Sequence, residues 1–553
     1  MKLTIGELLD ITVDRYPQHD ALVYPHQELR YTYKEFQRRC NQVAKGLMAL
    51  GIERGEHIAI MAPNLPEWVL LQFAAARIGA VLVTINTNYK LFELEYLLHH
   101  SDVTTLIFSE GIKNSNYLEM IAELCPEIEE SMPGWLVSKR LPKLKKLVFI
   151  DSEPGAGVYS WTQMLALGED ISDEALMKRQ QSLDADDVIN MQYTSGTTGF
   201  PKGVMLSHTN LVGNAISIGQ CMNLGPDDRL CIPVPLFHCF GCVLGTLACI
   251  TAGTAMVMLE TFNPVAVMEA VARERCTALH GVPTMFIMEL EVLEKENYDI
   301  SSLRTGIMAG APCPIELMRA VVDKMGMREI VITYGQTESA PGITMTRTYD
   351  PLDVRVATVG KALGGVEVKI VDTETGEELP PGMRGEICAR GYNVMRGYYK
   401  MPEATAAAID GEGWLHTGDL GIMDEAGYLC VTGRINDMII RGGENIYPRE
   451  VEEFLHTHPQ IKDVQVVGVP SAKYGEEVMA FIRLKEGAAV TEKEILEFCE
   501  GKIAQYKIPA HIKFIDAFPV TANGKVQKFK LREMGHHHNN AVDLLGKNME
   551  AQS

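Results

Sequence analysis

The sequence predicts an α/β protein with a large N-terminal domain of parallel-rich sheets with helices, a small β-rich subdomain and a C-terminal α+β domain. Three observations lead to this prediction. Short apolar runs alternate with helical stretches over about the first 360 residues, glycine-rich turns then separate short strands, and a new helix–strand pattern starts near residue 437. We therefore expect domains over residues 1–435 and 436–535, followed by a loosely ordered tail over residues 536–553.

The N-terminal part alternates strand and helix signals. HIAIMAP (57–63) is typical of a strand, EWVLLQFAAARIGA (67–80) of a helix that ends at Gly79, and VLVTIN (81–86) of a second strand. The same strand signal recurs in TTLIF (104–108), TAMVML (254–259), TALHGV (277–282) and EIVITYG (329–335). Strands joined through helices form parallel sheets, which bind ligands at the carboxyl ends of their strands. Motifs that directly follow these strands are therefore the first candidates for a site.

The uncharged segment from Cys231 to Leu259 is long enough to span a membrane. However, Pro233, Pro235 and several glycines interrupt it, and residues 251–254 are typical of a turn. We predict a loop, a buried helix and a buried strand here, and no transmembrane segment.

After about residue 360, glycine-rich turns separate short strands such as VEVKIVD, GEICARG and YLCVTGR, which predicts the small β-rich subdomain. From about residue 437 a new unit starts, with a helix (PREVEEFLHTHP), two strands (VQVVGVP and EVMAFIRL), a helix (TEKEILEFCEGKI) and a strand (IKFID). This order predicts a compact α+β domain of about a hundred residues. The three histidines at positions 536–538 of the tail are interpreted as an incidental polar tract and, as the alternative, as a weak metal site.

Composition limits the classes of function. The 553 residues are 46% apolar and 22% charged, and the net charge is -21, which argues against nucleic acid as a main partner. The first twenty residues lack the basic start and apolar stretch of a secretory signal. Twelve scattered cysteines are typical of reduced thiols, so we predict a cytoplasmic protein. Cys239 and Cys242 are interpreted as core thiols, with a redox pair as the alternative.

The sequence YTSGTTGFPKG, from Tyr193 to Gly203, follows a strand-like run and carries the strongest signal for chemistry. Its glycines allow backbone N–H groups to approach a polyphosphate, its hydroxyl groups can donate hydrogen bonds, and Lys202 can neutralise charge. The spacing is not that of a Walker A loop. A flexible loop without a ligand is the alternative interpretation.

This string resembles the phosphate-binding loop of the adenylate-forming superfamily, which contains acyl-CoA synthetases, peptide-synthetase adenylation domains and luciferases. Further motifs recur in the family's order from about residue 190 to residue 530. The resemblance makes residues 1–435 the AMP-binding domain and residues 436–535 a mobile C-terminal domain. The loop residues that it assigns to the nucleotide are Thr194, Ser195, Gly196, Thr197, Thr198, Gly199 and Lys202.

Two motifs after predicted strands resemble the family's adenine and phosphate contacts. The segment Gly310-Ala311-Pro312 resembles the one that lies along the adenine. In the YGQTE motif the resemblance implies that Tyr334 stacks on adenine, next to Gly335, and that Thr337 touches the α-phosphate. It also assigns Glu338, together with Thr194, to Mg²⁺, and a hard carboxylate suits this hard cation.

The motif WLHTGDL resembles the family's ribose-binding segment, in which Asp419 would accept two hydrogen bonds from the ribose diol. Arg434 resembles the arginine that contacts ribose and steadies charge near the phosphate. Family members usually carry Asp or Lys at the hinge position where this chain has Asn436. Asparagine tolerates unusual backbone angles, so we expect hinging to survive.

The last motifs concern the second half of the reaction and the acid. Gly442 and Gly443 resemble the glycines that line the path of pantetheine, and Lys525 resembles the lysine that bridges the carboxylate and the α-phosphate during adenylation. His238 lies in a segment that resembles the border of the acyl site, and it could position the acid or simply pack. The apolar residues after it fit either a tunnel for an aliphatic chain or ordinary core.

Taken together, the resemblance implies an ATP-dependent acyl-CoA synthetase that uses ATP, Mg²⁺ and coenzyme A, most similar to the enzymes for medium- or long-chain fatty acids. The alternatives are an acid ligase that loads a carrier protein, a luciferase-like oxygenase and a non-catalytic nucleotide-binding sensor. The expected partners are the small-molecule acid, ATP and CoA. Peripheral membrane contact and homo-oligomers stay open at this point.

Overall fold

The structure of the protein is a computed structural model, and it describes residues 2–112, 115–151, 154–194, 201–311, 313–441, 444–471, 474–500, 502–503, 505–520 and 526–535. The chain divides into two compact units. The first comprises Met1–Val368 and Ala389–His416, and the second comprises Lys369–Cys388 and Thr417–Ser553. The predicted domain boundary between residues 435 and 436 stays a prediction, and the tail after residue 535 lies outside the described residues.

The α-helices are α1 Ile5–Arg15, α2 Tyr33–Ala49, α3 Pro66–Ile78, α4 Leu91–His100, α5 Tyr117–Leu124, α6 Trp161–Leu167, α7 Asp173–Gln181, α8 His208–Cys221, α9 Ala248–Ala252, α10 Pro264–Glu274, α11 Pro283–Leu293, α12 Ile315–Met325, α13 Leu352–Ala357, α14 Pro402–Ala408, α15 Pro448–His456 and α16 Glu492–Cys499.

The strands are β1 Asp20–Tyr24, β2 Leu29–Thr32, β3 His57–Met61, β4 Val81–Thr84, β5 Thr105–Phe108, β6 Gly111–Ile112, β7 Ser115–Asn116, β8 Lys146–Phe149, β9 Tyr159–Ser160, β10 Val188–Thr194, β11 Lys202–Ser207, β12 Arg229–Ile232, β13 Ala255–Met258, β14 Ala278–Leu279, β15 Thr305–Met308, β16 Glu329–Gly335, β17 Gly342–Met345, β18 Lys361–Ala362, β19 Val366–Val371, β20 Arg384–Gly391, β21 Gly397–Tyr398, β22 Leu415–Met423, β23 Leu429–Arg434, β24 Ile439–Arg441, β25 Glu444–Ile446, β26 Ile461–Ser471, β27 Gly475–Leu484 and β28 His511–Phe514.

Two large sheets form the first unit. The nine-stranded sheet has the order β18-β17-β16-β15-β14-β12-β13-β1-β2, and its strands from β16 to β1 run parallel. The eight-stranded sheet has the order β21-β11-β10-β4-β3-β5-β8-β9, and its strands from β10 to β9 run parallel. The prediction of parallel-rich sheets with helices is confirmed. The carboxyl ends of the parallel strands in each sheet share one edge, which is where ligands bind in such folds.

Local sequence explains where the helices begin and end. Thr4 caps α1 and accepts the backbone N–H of Glu7, while the Glu7 side chain accepts the backbone N–H of Thr4 in return. Helix α3 starts with Pro66 and ends at Gly79, whose φ of 76° is the left-handed conformation that glycine adopts without strain. A Cβ at position 79 would lie 2.5 Å from Leu183, so the site also lacks room for a side chain.

The uncharged segment from Cys231 to Leu259 folds inside the first unit as predicted. After β12 come a loop, a π-helix over Phe240–Leu247, helix α9 and strand β13. In the part of the chain that the structure describes, no helix is both long and apolar enough to cross a membrane. The π-helical form of the first half was not predicted, because the apolar pattern does not distinguish helix types.

The second unit contains most of a four-stranded sheet, in the order β19-β20-β22-β23, and a C-terminal sheet. The C-terminal sheet has the order β25-β24-β27-β26, and β28 pairs in parallel with β27. Helices α15 and α16 and strands β26, β27 and β28 occur in the predicted order. The prediction of a small β-rich part and a C-terminal α+β domain is therefore confirmed.

All twelve cysteines are free thiols, and ten of them are buried. Cys239 donates a hydrogen bond to the Gln192 side-chain carbonyl at 3.1 Å, and the Gln192 amide donates to Cys242 Sγ at 3.2 Å. Burial raises the pKa of Cys242 to about 12 and holds that of Cys239 well above its usual value. Because a thiolate is the reactive form, the prediction of two core thiols is confirmed and a redox pair is disfavoured.

A carboxyl group is buried without a partner in the core of the first unit. Glu289 lies on α11, it is fully buried, and neither of its carboxylate oxygens has a hydrogen-bond partner. Burial raises its pKa from 4.5 to about 8. Between these two pH values the unfolded chain releases a proton that the folded chain retains, so stability falls as pH rises through this window. At pH 7 this pKa difference lowers the free energy of unfolding by about 3 kcal/mol relative to acidic pH, where the carboxyl is protonated in both states.

We therefore expect Glu289→Gln to raise the melting temperature relative to the parent, by an amount that is small at pH 5 and increases toward pH 8. The reason is that glutamine cannot ionise and so removes the pH-dependent cost. Thermal unfolding at pH 5, 6.5 and 8 measures this difference. Glu269→Gln, an exposed position on α10, is the matched control and should show no such trend. A difference between Glu289→Gln and the parent that is independent of pH would contradict the assignment.

Candidate active site

The two ends of the predicted phosphate loop are held by a β-hairpin in the first unit. Strands β10 and β11 are antiparallel, and Thr194 at the end of β10 pairs with Lys202 at the start of β11. The residues between them that were assigned to the nucleotide are Ser195, Gly196, Thr197, Thr198 and Gly199, and they lie outside the described residues. The hairpin therefore brings the first hydroxyl residue and the lysine of the motif together.

Lys202 faces an aromatic ring that the motif analysis did not single out. Its ammonium nitrogen lies 4.8 Å from the centre of the Tyr398 ring, within the range of a cation–π contact. The contact arises from sheet register, because Tyr398 on β21 pairs with Val204 on β11, two residues from Lys202. Such diagonal neighbours on one face of a sheet are within reach of long side chains.

Tyr398 also connects this lysine to the predicted metal ligand. Its hydroxyl donates a hydrogen bond to Glu338 Oε1 at 2.8 Å. Burial, and then the nearby carboxylate of Glu338, hold the pKa of Tyr398 far above its usual value, so the hydroxyl stays protonated and remains a donor. Lys202, Tyr398 and Glu338 thus form one connected group in the first unit.

Glu338 lies in a 3-10 turn, Thr337–Ser339, directly after strand β16. Its backbone carbonyl accepts the N–H of Met395, which fixes the turn against the segment that leads to β21. The half-buried Tyr334 at the end of β16 packs against the main core of the first unit. Next to it, a Cβ on Gly335 would lie 1.8 Å from the Pro341 carbonyl oxygen, so only glycine fits there.

The adenine segment follows the neighbouring strand. Gly310 and Ala311 are exposed and come directly after β15, whereas Pro312 lies outside the described residues. Strands β15 and β16 are parallel, with Met308 opposite Ile332. Their carboxyl ends are therefore side by side, and the structure places Gly310 and Ala311 at the same sheet edge as Tyr334 and Glu338.

His238 follows another strand of this sheet, β12, and is half-buried. Its ring lies 4.9 Å from that of Phe237, whose carbonyl accepts a hydrogen bond from Thr84 at 2.8 Å. The backbone carbonyl of His238 accepts the N–H groups of Gly241 and Cys242 at the start of the π-helical segment. The histidine thus lies where the loop after β12 enters an apolar helix.

Sequence reasoning missed His280, a buried histidine after β14. Its Nε2 lies 2.9 Å from the Leu244 carbonyl in the π-helix, and its Nδ1 accepts the Ile307 N–H at 3.2 Å. Burial lowers the pKa of His280 to about 4, so the ring is neutral and carries its proton on Nε2. These two contacts connect the π-helix to strand β15. The run TALHGV indicates only a strand. The two hydrogen-bond partners of His280 are distant in the chain, so a local pattern cannot indicate them.

In the second unit, Asp419 and Arg434 are paired across strands β22 and β23. Arg434 Nε donates to Asp419 Oδ1 at 2.8 Å. The Asp419 side chain is 6% exposed, whereas that of Arg434 is 56% exposed. The Thr417 hydroxyl accepts the backbone N–H of Asp419 at 3.1 Å. The pair combines an oriented carboxylate with a cation that reaches solvent, which is suitable for a ribose diol and a nearby phosphate.

Three other predicted site residues of this unit lie outside the described residues, namely Gly442, Gly443 and Lys525. Asn436 lies in a 3-10 turn over Ile435–Asp437. The neighbouring Asp437 forms an ion pair with Arg532, which links this turn to the end of the described chain within the second unit. Functional roles for these residues remain predictions.

Comparisons with known proteins agree with the motifs. A family model described as AMP-binding enzyme matches residues 9–399, and one described as AMP-binding enzyme C-terminal domain matches residues 450–525. A putative acyl-CoA synthetase, YngI, of Bacillus subtilis (strain 168) is 56% identical over 530 residues, 96% of each chain. The mitochondrial medium-chain acyl-CoA ligase ACSF2 of Bos taurus is 42% identical, over 97% of this chain and 88% of the relative.

A solved structure, that of the anthranilate CoA ligase AuaEII in complex with anthranoyl-AMP, superimposes with a TM-score of 0.82. It is 27% identical, and the match covers 98% of each chain. The fold is therefore shared over nearly the whole length of both proteins.

Proposed function

The chain belongs to the AMP-binding enzyme family, and from this premise we propose that it is an ATP-dependent acyl-CoA synthetase for medium- or long-chain fatty acids. One observation carries the proposal. Lys202 and Glu338 are connected through Tyr398, beside the two ends of the hairpin that holds the predicted phosphate loop. This arrangement occurs in a chain that matches relatives named acyl-CoA synthetase or ligase over most of their length.

The chemistry requires two steps, because a free carboxylate is a poor acyl donor. In the first, a carboxylate oxygen attacks the α-phosphorus of ATP, the bond to the β-phosphate oxygen breaks, and acyl-AMP and pyrophosphate form. In the second, the CoA thiolate attacks the acyl carbon and AMP leaves with the electron pair of the broken C–O bond. The ligand named for the AuaEII structure, anthranoyl-AMP, is an acyl-adenylate of this kind.

Residues of the first unit would bind the nucleotide. Thr194 and the loop that follows it would donate hydrogen bonds to the phosphates, and Lys202 would neutralise the charge that develops there. Tyr334, at the end of β16, would stack on the adenine. The segment of residues 310–312 would lie along the adenine. Thr337, in the turn after β16, would donate its hydroxyl to the α-phosphate.

The residues of this site also fit a magnesium ion, which the family reaction uses with ATP. Glu338 presents a half-buried carboxylate at a strand end, oriented by the Tyr398 hydroxyl, and Thr194 offers a hydroxyl oxygen. Hard oxygen donors of this kind, completed by substrate phosphates and water, suit Mg²⁺. When bound, the ion would offset negative charge on the phosphates.

Residues of the second unit would act on the ribose and in the two half-reactions. Asp419 would accept the ribose hydroxyls, with Arg434 oriented beside it. Lys525 would bridge the carboxylate and the α-phosphate during adenylation. A rotation of the C-terminal domain about Asn436 would then withdraw Lys525 and present Gly442 and Gly443 to pantetheine.

The acyl chain of the acid would bind against the apolar residues that follow β12. His238 would border the carboxyl end of the acid, and the buried π-helical segment with its tie to His280 would form a rigid wall for an aliphatic chain. The name of the ACSF2 relative, a medium-chain ligase, supports acids of medium length. Cytoplasmic location and homo-oligomers remain proposals.

We expect the protein, given ATP, Mg²⁺ and CoA, to convert medium-chain acids to acyl-CoA faster than acetate or aromatic acids. Mass spectrometry of products from a panel of short to long, branched and aromatic acids, with and without CoA, measures this. Acyl-CoA that forms only with CoA present supports the proposal. Acyl-AMP or AMP without a thioester would favour a carrier-protein ligase, and no turnover would favour a nucleotide sensor. A preference for short or aromatic acids would overturn the substrate class alone.

A further inference from the structure

A tight turn in the first unit presents two large apolar side chains to solvent. In the turn Met132-Pro133-Gly134-Trp135 the N–H of Trp135 donates to the Met132 carbonyl at 3.0 Å, and Gly134 has a φ of 85°. Proline followed by a left-handed glycine is the pattern of a type II turn. Met132 and Trp135 therefore lie close together at the two ends of the turn, where they are 72% and 76% exposed.

The turn is held firmly, so this exposure is built into the fold. Gly134 lies against Tyr159, and a Cβ on it would be 2.8 Å from the tyrosine hydroxyl. Leu136 is buried and its N–H donates to the Lys145 carbonyl at 3.2 Å. The Ser138 hydroxyl accepts a hydrogen bond from the Cys125 thiol at 3.4 Å. We name residues 131–137 the apolar tip; its third exposed apolar side chain is that of Val137, at 72%.

Basic residues follow the tip. Residues 131–146 contain five basic and no acidic residues, although the whole chain carries a net charge of -21. Lys139, Lys143 and Lys145 are exposed, and they alternate with the buried Leu141 and Leu144. The lysines therefore share the solvent side of an anchored segment.

The other two basic residues, Arg140 and Lys146, lie next to carboxylates. Arg140 forms two hydrogen bonds with Glu95, at 2.8 and 2.6 Å, and Lys146 lies 3.7 Å from Glu56. The Glu127 side chain accepts the backbone N–H of Lys139 at 3.2 Å. Two further acids lie near the segment, Glu123 close to Arg140 and Asp102 close to Lys143. Glu129 and Glu130 are exposed in the 3-10 helix before the tip.

We propose that the apolar tip and Lys139, Lys143 and Lys145 form a docking surface for an anionic phospholipid bilayer. Tryptophan and methionine side chains insert at the interface between headgroups and acyl chains, and lysines bind the anionic headgroups. The positive segment supplies the charge complementarity that the acidic chain as a whole lacks. This surface does not depend on the enzymatic reaction, so it can be tested without turnover.

The sequence offers a built-in reporter. The protein has four tryptophans, and the other three, Trp68, Trp161 and Trp414, are at most 7% exposed. A change of tryptophan emission on vesicle binding therefore reports on Trp135. We expect the intact protein to bind vesicles of phosphatidylglycerol and phosphatidylcholine, with a blue shift of emission and with quenching by brominated acyl chains. Vesicles of pure phosphatidylcholine should bind more weakly, and added salt should reduce the difference.

Variants separate the contribution of the apolar side chains from that of the lysines. Co-sedimentation with vesicles measures the partition constant of each variant. Met132→Ser with Trp135→Ser should lower partition onto both vesicle types by about tenfold or more, because burying one such apolar side chain gives about that factor. Replacing Lys139, Lys143 and Lys145 with serine should lower partition onto anionic vesicles by roughly 100-fold, at about fivefold per lysine. Serine at the exposed Lys34, Lys178 and Lys295 makes the same change of net charge elsewhere and should have little effect.

The exposed Tyr349→Ala is the matched apolar control, at a position 82% exposed in the same unit. Thermal unfolding of each variant checks that folding is intact. The proposal is overturned if the parent binds neither vesicle type, if binding leaves Trp135 accessible to a water-soluble quencher, or if the control variants lose as much binding as the tip variants. The first of these results would favour a protein partner for the tip.

Discussion

Glu338→Gln is expected to slow acyl-adenylate formation by about 100-fold or more, a loss typical for removal of one group that stabilises transition-state charge. Glutamine keeps the shape of the side chain and an oxygen that can accept the Tyr398 hydrogen bond. It removes the negative charge that would hold the magnesium ion next to the phosphates. The rate of pyrophosphate release with saturating acid and ATP, measured over a range of Mg²⁺ concentrations, tests this expectation.

Two further variants define what the loss means. Tyr398→Phe keeps the ring over Lys202 but removes the hydroxyl that orients Glu338, and we expect a smaller loss of about tenfold. Glu403→Gln changes an exposed carboxylate on α14 in the same way and should leave the rate unchanged. Pyrophosphate release at the parental rate in Glu338→Gln, at every Mg²⁺ concentration, would remove Glu338 from the site. The second half-reaction from supplied acyl-AMP should be largely retained in all three variants.

Lys525→Ala is expected to abolish adenylate formation and yet largely spare thioester formation from supplied acyl-adenylate. Lys525 lies outside the described residues, so this expectation rests on its motif, Phe518 to Lys525, and on the two-conformation scheme. A cation between the carboxylate and the α-phosphate stabilises charge that develops only in the first step. The two half-reactions are measured separately, by pyrophosphate release and by acyl-CoA formation from synthetic acyl-AMP.

The matched control for this variant is Lys530→Ala, an exposed lysine five residues further along the chain. It should retain both half-reactions, since its side chain has no assigned role. An equal loss of both half-reactions in Lys525→Ala would contradict the scheme, because a residue withdrawn by domain rotation cannot serve the second step. The result also bears on Asn436, since normal thioester formation would show that the thioester-forming conformation is reached without Asp or Lys there.

The sequence by itself determined the secondary structure around the site. Strands such as β3, β4 and β16 are short runs of β-branched and apolar residues, and they occur where the pattern predicts them. The same holds for the order of helices and strands in the C-terminal part. These features depend on neighbours within a few residues, namely the periodicity of apolar side chains, capping residues and glycines, and such information is local in the chain.

The sequence also determined the family and the candidate residues, because each motif is a continuous string with a recognisable spacing. It did not determine how the strings meet. Tyr398 and Glu338 are 60 residues apart, and the hydrogen bond between them exists only because β21 pairs with β11 and the turn after β16 lies beside them. The contact between Lys202 and the Tyr398 ring has the same origin.

Only the tertiary structure decided which polar side chains are buried and which apolar ones are exposed. Glu289 stands in a helical run that is compatible with a solvent-facing glutamate, and packing of the first unit encloses it and raises its pKa. Trp135 and Met132 belong to an ordinary apolar stretch, and anchoring of the turn on Tyr159 keeps them outside. Burial depends on contacts between segments distant in sequence, so local patterns determined the elements and the long-range packing decided the chemistry of these side chains.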